Sequence, residues 1–302
     1  MSNTVTSLNA TMIMEEVLPA LKLGLLPING MSKRLVSDKP LFYGDSVNVD
    51  IVSTKTAGAY STTFASGNST ATGTSVKIGA PQFSSWHINP YLEGQPTAER
   101  FLAHGREAAY AVAKTVLQSV TNLFVASNIG NTAADKLVVT TANYDTDVFA
   151  DARKLLLDKS VSGPIMAIHN IAYASQLMKD DALKNVEKYG SNQVIATGVL
   201  PSIFGITPYY TDAFSSTLTD ENTGVIFTGP ETAAIAIGAA GDPTGQEGAA
   251  GVRSMDITDP ETGLSFTWRT WVDANTGWHW GSVYLAYGVA FLRKSAVRVV
   301  SA

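Results

Sequence analysis

The chain has no cysteine. Disulfides, thiolate metal sites and cysteine nucleophiles are thereby excluded, and folding needs no oxidising compartment. Charge is also scarce: Asp, Glu, Lys and Arg make up 16% of residues, against about 25% in an ordinary globular chain. The formal net charge is −5, from 21 basic and 26 acidic residues, and no run of Lys or Arg occurs. Nucleic-acid binders draw most of their affinity from a basic surplus that neutralises phosphates. The balance here argues against a dedicated DNA-binding role, although a weakly acidic wall can enclose DNA without gripping it. Long apolar runs are missing too, since none approaches the ~18 residues of a membrane span. The opening MSNTVTSLNATMIMEEVLPALKLGLLP has no early Lys or Arg and sets Glu15 and Glu16 beside its apolar stretch. That is not a signal peptide. The expectation is a soluble chain that folds in the cytosol, with no membrane partner.

Catalytic signatures are absent as well. There is no G-x-x-x-x-G-K-[ST], no G-x-G-x-x-G after a strand and no G-x-S-x-G. No two of His87, His104, His169 and His279 stand at H-x-x-x-H spacing, so each reads as structural rather than as a metal ligand. Asp180 and Asp181 lie between Lys179 and Lys184 and read as a solvated helix end, because neighbouring side chains on a helix diverge. Trp268, Trp271, Trp278 and Trp280 could form a sugar-stacking platform. Strand alternation favours core and contact surface instead. No enzymatic activity, cofactor or metal is expected.

What is present is a chain of 302 residues, 45% of them apolar, long enough for a sizeable core and near the size at which one core splits into two. A low charge share fits a surface partly covered by neighbours, and equally a weakly charged monomer. Ile13, Val17, Leu21 and Leu25 stand four apart, which predicts a short helix interrupted by Pro19 and Gly24 and followed by an extended arm. Ser46–Ser53 alternates like a strand. In residues 53–80, 22 of 28 are Ser, Thr, Gly, Ala or Asn. Such a segment has almost nothing of its own to bury. It is a disordered linker or a long hairpin, and flanking strands at 46–52 and 82–92 favour the hairpin. No acidic residue occurs from Ile51 to Leu92, where Lys55 and Lys77 are the only formal charges.

Thr97 to Phe124 reads as one long helix, with Thr97 as N-cap and Glu99 in the first turn. Phe101, Ala108, Val112, Val116, Val120 and Leu123 form its apolar stripe. Lys136–Thr141 predicts a strand. A helix capped by Asp147, a buried strand Pro164–His169, a helix capped by Asn170 and apolar runs at 193–214, 224–228 and 233–237 follow. Residues 143–240 thus read as a mixed α+β unit. The C-terminal part is a meander whose turns repeat a pattern, Asp259-Pro-Glu-Thr-Gly263 and Asp273-Ala-Asn-Thr-Gly277. Around them run LSFTWRTWV, WHWGSVYLAYGVAFL and a last strand, Ala296–Val300.

This order of elements resembles the capsid fold of tailed bacteriophages, known from Hong Kong 97 and shared with encapsulins, over nearly the whole chain. EEVLPALKLGLLPINGMSKRL followed by GDSVNVDIVS is similar to the N-terminal arm and the strand that leaves it. The ending WVDANTGWHWGSVYLAYGVAFLRKSAVRVV carries the most specific similarity, with Arg293-Lys294-Ser295 in place of an Arg–Pro continuation. The resemblance implies an α+β fold with an N-terminal arm at 1–45 and an extended loop with its flanking strands at 46–92. It further implies a peripheral domain at 93–142 and 241–302, built on the spine helix 97–124, and an axial domain at 143–240.

The function so implied is a major capsid protein. Its pentamers and hexamers would form an icosahedral head around double-stranded DNA, in a virion assembled in the host cytoplasm. The chain starts directly at the arm, so a separate scaffolding protein is expected, with a portal and a possible decoration protein as further partners. Lys55, Phe64 and Lys77 on the loop, and Asp256, Asp259 and Glu261 as an acidic landing surface, are the expected assembly residues. Phe101, Val112, Val116 and Val120 are the expected spine core. Arm and loop are expected to gain burial only from neighbouring subunits. An encapsulin-like compartment and a soluble α+β enzyme are the alternatives.

Overall fold

The structure, a computed structural model, describes residues 10–35, 43–52, 71–93, 97–184, 200–214, 223–238, 252–258 and 265–301. Its first half runs α1 (Ala10–Leu25), α2 (Ile28–Met31), β1 (Ser32–Leu35), β2 (Ser46–Val52), β3 (Ala71–Lys77), β4 (Gln82–Ile88), α3 (Pro90–Glu93), α4 (Ala98–Thr121), α5 (Ala126–Ile129) and β5 (Lys136–Val138). Then follow α6 (Asp147–Asp158), β6 (Ile165–Asn170), α7 (Ile171–Leu177), α8 (Asp181–Lys184), β7 (Ile206–Thr211), β8 (Thr223–Thr228), β9 (Ala233–Gly238), β10 (Arg253–Thr258), β11 (Ser265–Val272), β12 (His279–Phe291) and β13 (Ala296–Val300).

The long helix forms where its apolar spacing places it. Thr97 is its N-cap and accepts a hydrogen bond from the Arg100 N–H at 3.3 Å. It spans 24 residues, about 36 Å, and ends three residues before the expected Phe124. There Leu123 and Phe124 switch to bonds three residues back, on Val120 and Thr121. Phe101, Val112, Val116 and Val120 are all buried on one face. That face packs on β4, β12 and α1. Gly105 lets the helix approach closely, because a Cβ there would meet the Trp268 ring at 2.5 Å.

Helix α1 corrects one expectation. Ile13, Val17, Leu21 and Leu25 are buried against α4 of the same chain. This part of the arm finds its burial within the subunit. Pro19 sits on the exposed face, where the helix continues through the one missing N–H. The backbone then turns through α2 into β1, which pairs in parallel with β9.

The strands sort into two sheets and a ribbon. The first sheet follows the order β1-β9-β12-β11-β10, with β4 also on β12. The second follows β5-β13-β8-β6-β7. The ribbon is β2-β3. The expected hairpin therefore has a different second strand: Ser46–Val52 pairs with Ala71–Lys77, whereas Gln82–Ile88 pairs with β12. The strand expected through residue 92 stops at Ile88, because Asn89-Pro90 starts a helical turn. Sheet membership also crosses the expected limits of 143–240: β9, inside that range, joins the first sheet, while β5 and β13, outside it, join the second.

The apolar strands β6 and β8 are covered on both faces. Met166, Ile168 and Ile226 belong to the core beneath α1 and α4. Ile165, Ala167, Val225 and Phe227 belong to a second core with α6 and α7. Such two-sided burial explains why these strands read as continuous apolar runs rather than as alternation. Asn170 caps α7 as expected, accepting from the Ala172 N–H at 3.1 Å. Asp147 instead becomes the first helical residue of α6, and Thr146 takes the cap position. Asp180 is no solvated helix end: its carboxylate accepts from the N–H groups of Thr146, at 2.8 Å, and Ala182, at 2.9 Å. It ties α8 to the start of α6.

In the second core His169 is fully buried. Its Nδ1–H donates to the Tyr209 carbonyl at 3.0 Å, and its Nε2 accepts from the Tyr144 hydroxyl at 2.8 Å. Burial pushes the imidazole pKa down from 6.5 to about 4 and pushes that of the Tyr144 phenol well up. The ring is thus neutral and the phenol protonated, as both hydrogen bonds require.

Two outcomes follow. Val112 lies 2% exposed under α1 and the first sheet, so Val112→Asp buries a carboxyl without a partner and costs at least about 2 kcal/mol. Urea denaturation of the soluble subunit measures it, and an unchanged midpoint would put the wrong face of α4 inside. The second concerns acid. The unfolded chain protonates His169 near 6.5 and the folded chain near 4, so the unfolded state binds more protons between these values. Stability should fall as pH drops through that window, by on the order of 3 kcal/mol from this group alone. Replacing His169 by Gln, with melting followed from pH 7 to 4, should flatten that part of the slope.

Candidate assembly surface

At one end of the first sheet the last residue of β4, the last of β11 and the first of β12 come together, with Ile88 opposite His279 and Val272 opposite His279. The turn between β11 and β12 is fixed by Asp273. Its carboxylate accepts from the Thr276 hydroxyl at 2.7 Å and the Asn275 N–H at 2.9 Å. Its carbonyl accepts from the Gly277 N–H at 2.7 Å. The hydrogen bond from Thr276, then that from Asn275, holds the Asp273 carboxyl below the usual range. Gly277 closes the turn at φ +70°, a conformation that favours glycine.

Four aromatic rings line this end. His87 stacks on Trp278, with ring centroids 4.6 Å apart and planes 8° off parallel, and touches Trp280 at 4.7 Å. Trp280 lies parallel to Trp271 at 5.8 Å. Beside them a shallow cavity of about 490 Å³ is lined by Val252, Trp271, Val272, Asp273, Ala274 and Trp280. The short helix α3 lies next to the turn, since a Cβ on Gly277 would sit 3.5 Å from the Tyr91 hydroxyl. Asn89 accepts from the Tyr91 N–H at 2.9 Å and sets this helical turn. It carries Tyr91, 82% exposed, and Leu92, 85% exposed. Two adjacent large apolar side chains that far out of the protein, beside a ring cluster, make this end the candidate interaction surface.

A second feature is the β2-β3 ribbon. Its base is anchored: Ile78 N–H donates to the Asp45 carbonyl at 2.8 Å, and Gly79 N–H to the Tyr287 carbonyl at 3.0 Å. Val49, Val76 and Ile78 are buried on Ala234, Ala236 and Ala286. Gly288 is required beneath it, because a Cβ would lie 2.1 Å from the Lys77 carbonyl oxygen. The ribbon leads into residues 53–70, which lie outside the described residues together with the expected site residues Lys55 and Phe64.

Of the other expected contact residues, Lys77 is exposed at the end of β3. Asp256 is exposed on β10, and its carboxylate accepts from the Thr267 hydroxyl on β11. Asp259 and Glu261 lie outside the described residues. Among the described residues Lys77 makes no ion pair within the subunit. Sequence reasoning passed over Tyr91 and Leu92, having placed them at the end of a strand. The Asn-Pro dipeptide before them was the available signal.

Nothing in the buried polar cluster suits it to act on a substrate. His169 and Tyr144 are sealed from solvent, and His104 is exposed on α4 with no carboxylate or hydroxyl bonded to it among the described residues. Trp268 is buried in the first core, packed on Trp86 at 5.1 Å and Phe101 at 6.1 Å. It belongs to no surface platform. Among the described residues no helix is long and apolar enough to cross a membrane.

No protein-family model matches the chain, and no curated protein matches it. Solved structures do. The capsid of cyanophage P-SCSP1u superposes with a TM-score of 0.59 at 12% identity, over 91% of this chain and 88% of that one. The mature capsid of bacteriophage PhiM1 gives 0.57 at 11% identity, over 90% and 86%. The capsid of Ralstonia phage GP4 gives 0.54 at 13% identity, over 89% and 86%. The chain therefore has the α+β fold of Hong Kong 97-type phage capsid proteins.

If the aromatic end meets a partner, its outermost side chains contribute to association rather than to folding. The double substitution Tyr91→Ser, Leu92→Ser should shift subunit stability by no more than about 0.5 kcal/mol, yet reduce the yield of higher-order assembly in sedimentation. An equal loss of subunit stability and assembly would assign these residues to the fold alone.

Proposed function

We propose that this chain is the major capsid protein of a tailed bacteriophage. Its pentamers and hexamers close into an icosahedral head around double-stranded DNA. The observation that carries the reading is the extent of the shared fold: about nine tenths of this chain superposes on nearly as much of three phage capsid subunits. The sealed polar cluster and the exposed aromatic end agree with a protein whose chemistry is association.

On this reading the protein is a virion component made and assembled in the host cytoplasm. The helix α4 is the spine of a peripheral domain, and the unit around α6, α7 and the second sheet is the axial one. Residues 53–70, with Lys55 and Phe64, extend from the ribbon across a neighbour, and Asp256, Asp259 and Glu261 form part of the landing surface. A scaffolding protein, a portal and a decoration protein are the partners that such a shell would take. The weakly acidic balance fits a wall that holds DNA without reading its sequence.

The test is to express the chain, with and without a co-expressed scaffolding protein, and to separate free subunits from particles by sedimentation. Electron microscopy of the heavy fraction should show closed shells with five- and six-fold clusters. Trypsin should cut after Lys55 or Lys77 faster in the light fraction than in the shells. A chain that stays monomeric under every condition would overturn the reading, and equal cleavage in both fractions would remove the loop from the contact.

A further inference from the structure

Besides the helical passage from β4 to β5, the chain passes between its two sheets through two short connections that lie side by side. From β8 it runs through Gly229–Thr232 into β9, and from β12 through Leu292–Ser295 into β13. Gly229 N–H donates to the Ser295 carbonyl at 2.9 Å, and Leu292 N–H to the Thr232 carbonyl at 2.9 Å. Buried hydroxyls of Thr228, Thr232 and Ser295 link the passages further, at 2.8 and 2.7 Å. The loop that ends α6 packs against this junction. Between the three segments lies a cavity of about 430 Å³, lined by Lys159, Ser160, Ser162, Glu231, Arg293 and Lys294 among others.

The cations of this cavity differ in how they are held. Lys159 is committed to the wall: its Nζ donates to Asp135 Oδ1 at 2.9 Å and to the Ala296 carbonyl at 2.8 Å. Arg293 and Lys294 are exposed and make no ion pair among the described residues. With Lys159 balanced by Asp135, these two outweigh Glu231, the one carboxylate among the described lining residues, on a chain whose net charge is −5. The N–H groups of Ser162, Glu231 and Lys294 have no acceptor among the described residues, and the hydroxyls of Ser160 and Ser162 have no partner there. Ser160 and Glu231 both sit in the left-handed region, at φ 57° and 59°. The fold thus holds the backbone of two lining residues in a conformation that residues other than glycine rarely adopt.

We propose that this cavity binds a phosphate group, either inorganic phosphate or a phosphodiester of a nucleic-acid backbone. Its free groups are donors: a planar guanidinium, an ammonium, amides and hydroxyls. They exceed what the two oxygens of a carboxylate accept and suit a tetrahedral oxyanion. The cavity is several times larger than one phosphate, so a sugar on either side fits. A ligand here touches both passages and the α6 loop, and so holds the two sheets in one relative position. The site is complete within one subunit and does not depend on the assembly reading.

The test uses soluble full-length chain at constant ionic strength. Inorganic phosphate is titrated by calorimetry, and a labelled short DNA duplex by fluorescence anisotropy. The double variant Arg293→Gln, Lys294→Gln should weaken phosphate binding about tenfold or more, with an unchanged circular dichroism spectrum. Glu231→Gln should tighten it, a gain that misfolding does not produce. Duplex binding that weakens in the same double variant assigns the site to a phosphodiester. Phosphate binding without duplex binding assigns it to the free anion. The proposal is overturned if the unaltered chain shows no saturable phosphate binding, or if the double variant binds phosphate equally well.

Discussion

Strand β12 is hydrogen-bonded on both sides, and the rest of the first sheet takes its position from it. Residues 279–285 pair with β4 on one edge and 279–284 with β11 on the other, and residues 286–291 then pair with β9. Helix α4 lies across one side of this strand and the ribbon across the other, and a glycine allows each contact. At Gly281 a Cβ would meet Trp86 at 2.4 Å and Phe101 at 2.6 Å. At Gly288 it would collide with the backbone of the ribbon. Helix from one side and ribbon from the other thus close on a strand stripped of side chains at the two points of nearest approach. β12 also continues into β13, the strand next to the middle of the second sheet. A distortion of β12 would therefore reach both cores.

Local pattern made the elements legible, and their partners stayed hidden. The stripe Phe101, Val112, Val116, Val120 repeats at helical spacing, so both α4 and its buried face could be read from residues on one helix. Thr97 and Asn170 were readable for the same reason, because a cap bonds within its own turn. Pairing is different. Ser46–Val52 could equally have met any Ser/Thr-rich strand nearby, and alternation alone did not tell Ala71–Lys77 from Gln82–Ile88. The position of β9 in the first sheet, away from its sequence neighbour β8, rests on contacts with β1 and β12 some 200 and 50 residues away in sequence.

The surface was legible only in part. Trp271, Trp278 and Trp280 stood out, but their stacking on one another and on His87 depends on the register between β4, β11 and β12. Charge gave the weakest guide. Asp256 was read as part of a landing surface, yet its carboxylate also holds the β10-β11 pair through Thr267. Asp180 was read as solvated, yet it fastens two helices. In a chain with so few charged residues, a carboxylate near a helix start finds backbone donors more readily than a cation. Lys159 makes the same point with opposite sign, being shared between Asp135 and a backbone carbonyl.

On the proposed reading, the burial of α1 changes what association has to accomplish. Had the arm lacked a surface within its own chain, ordering Ile13, Val17, Leu21 and Leu25 would have been charged to subunit contact, since coupled folding consumes part of the interaction energy. Instead these side chains are already packed on α4, with Glu16 paired to Arg106 at 3.5 Å on the rim. The described part of the subunit thus has its cores in place before any partner arrives. Among the described residues Tyr91 and Leu92 are the most exposed large apolar side chains, with Val272 at the same end, while others such as Leu23, Tyr43 and Phe83 are exposed elsewhere. On the proposed reading, docking at the aromatic end is an encounter between folded surfaces. On that reading the shape of the aromatic end weighs more in specificity than charge does, because exposed ion pairs contribute only about 0–1 kcal/mol each.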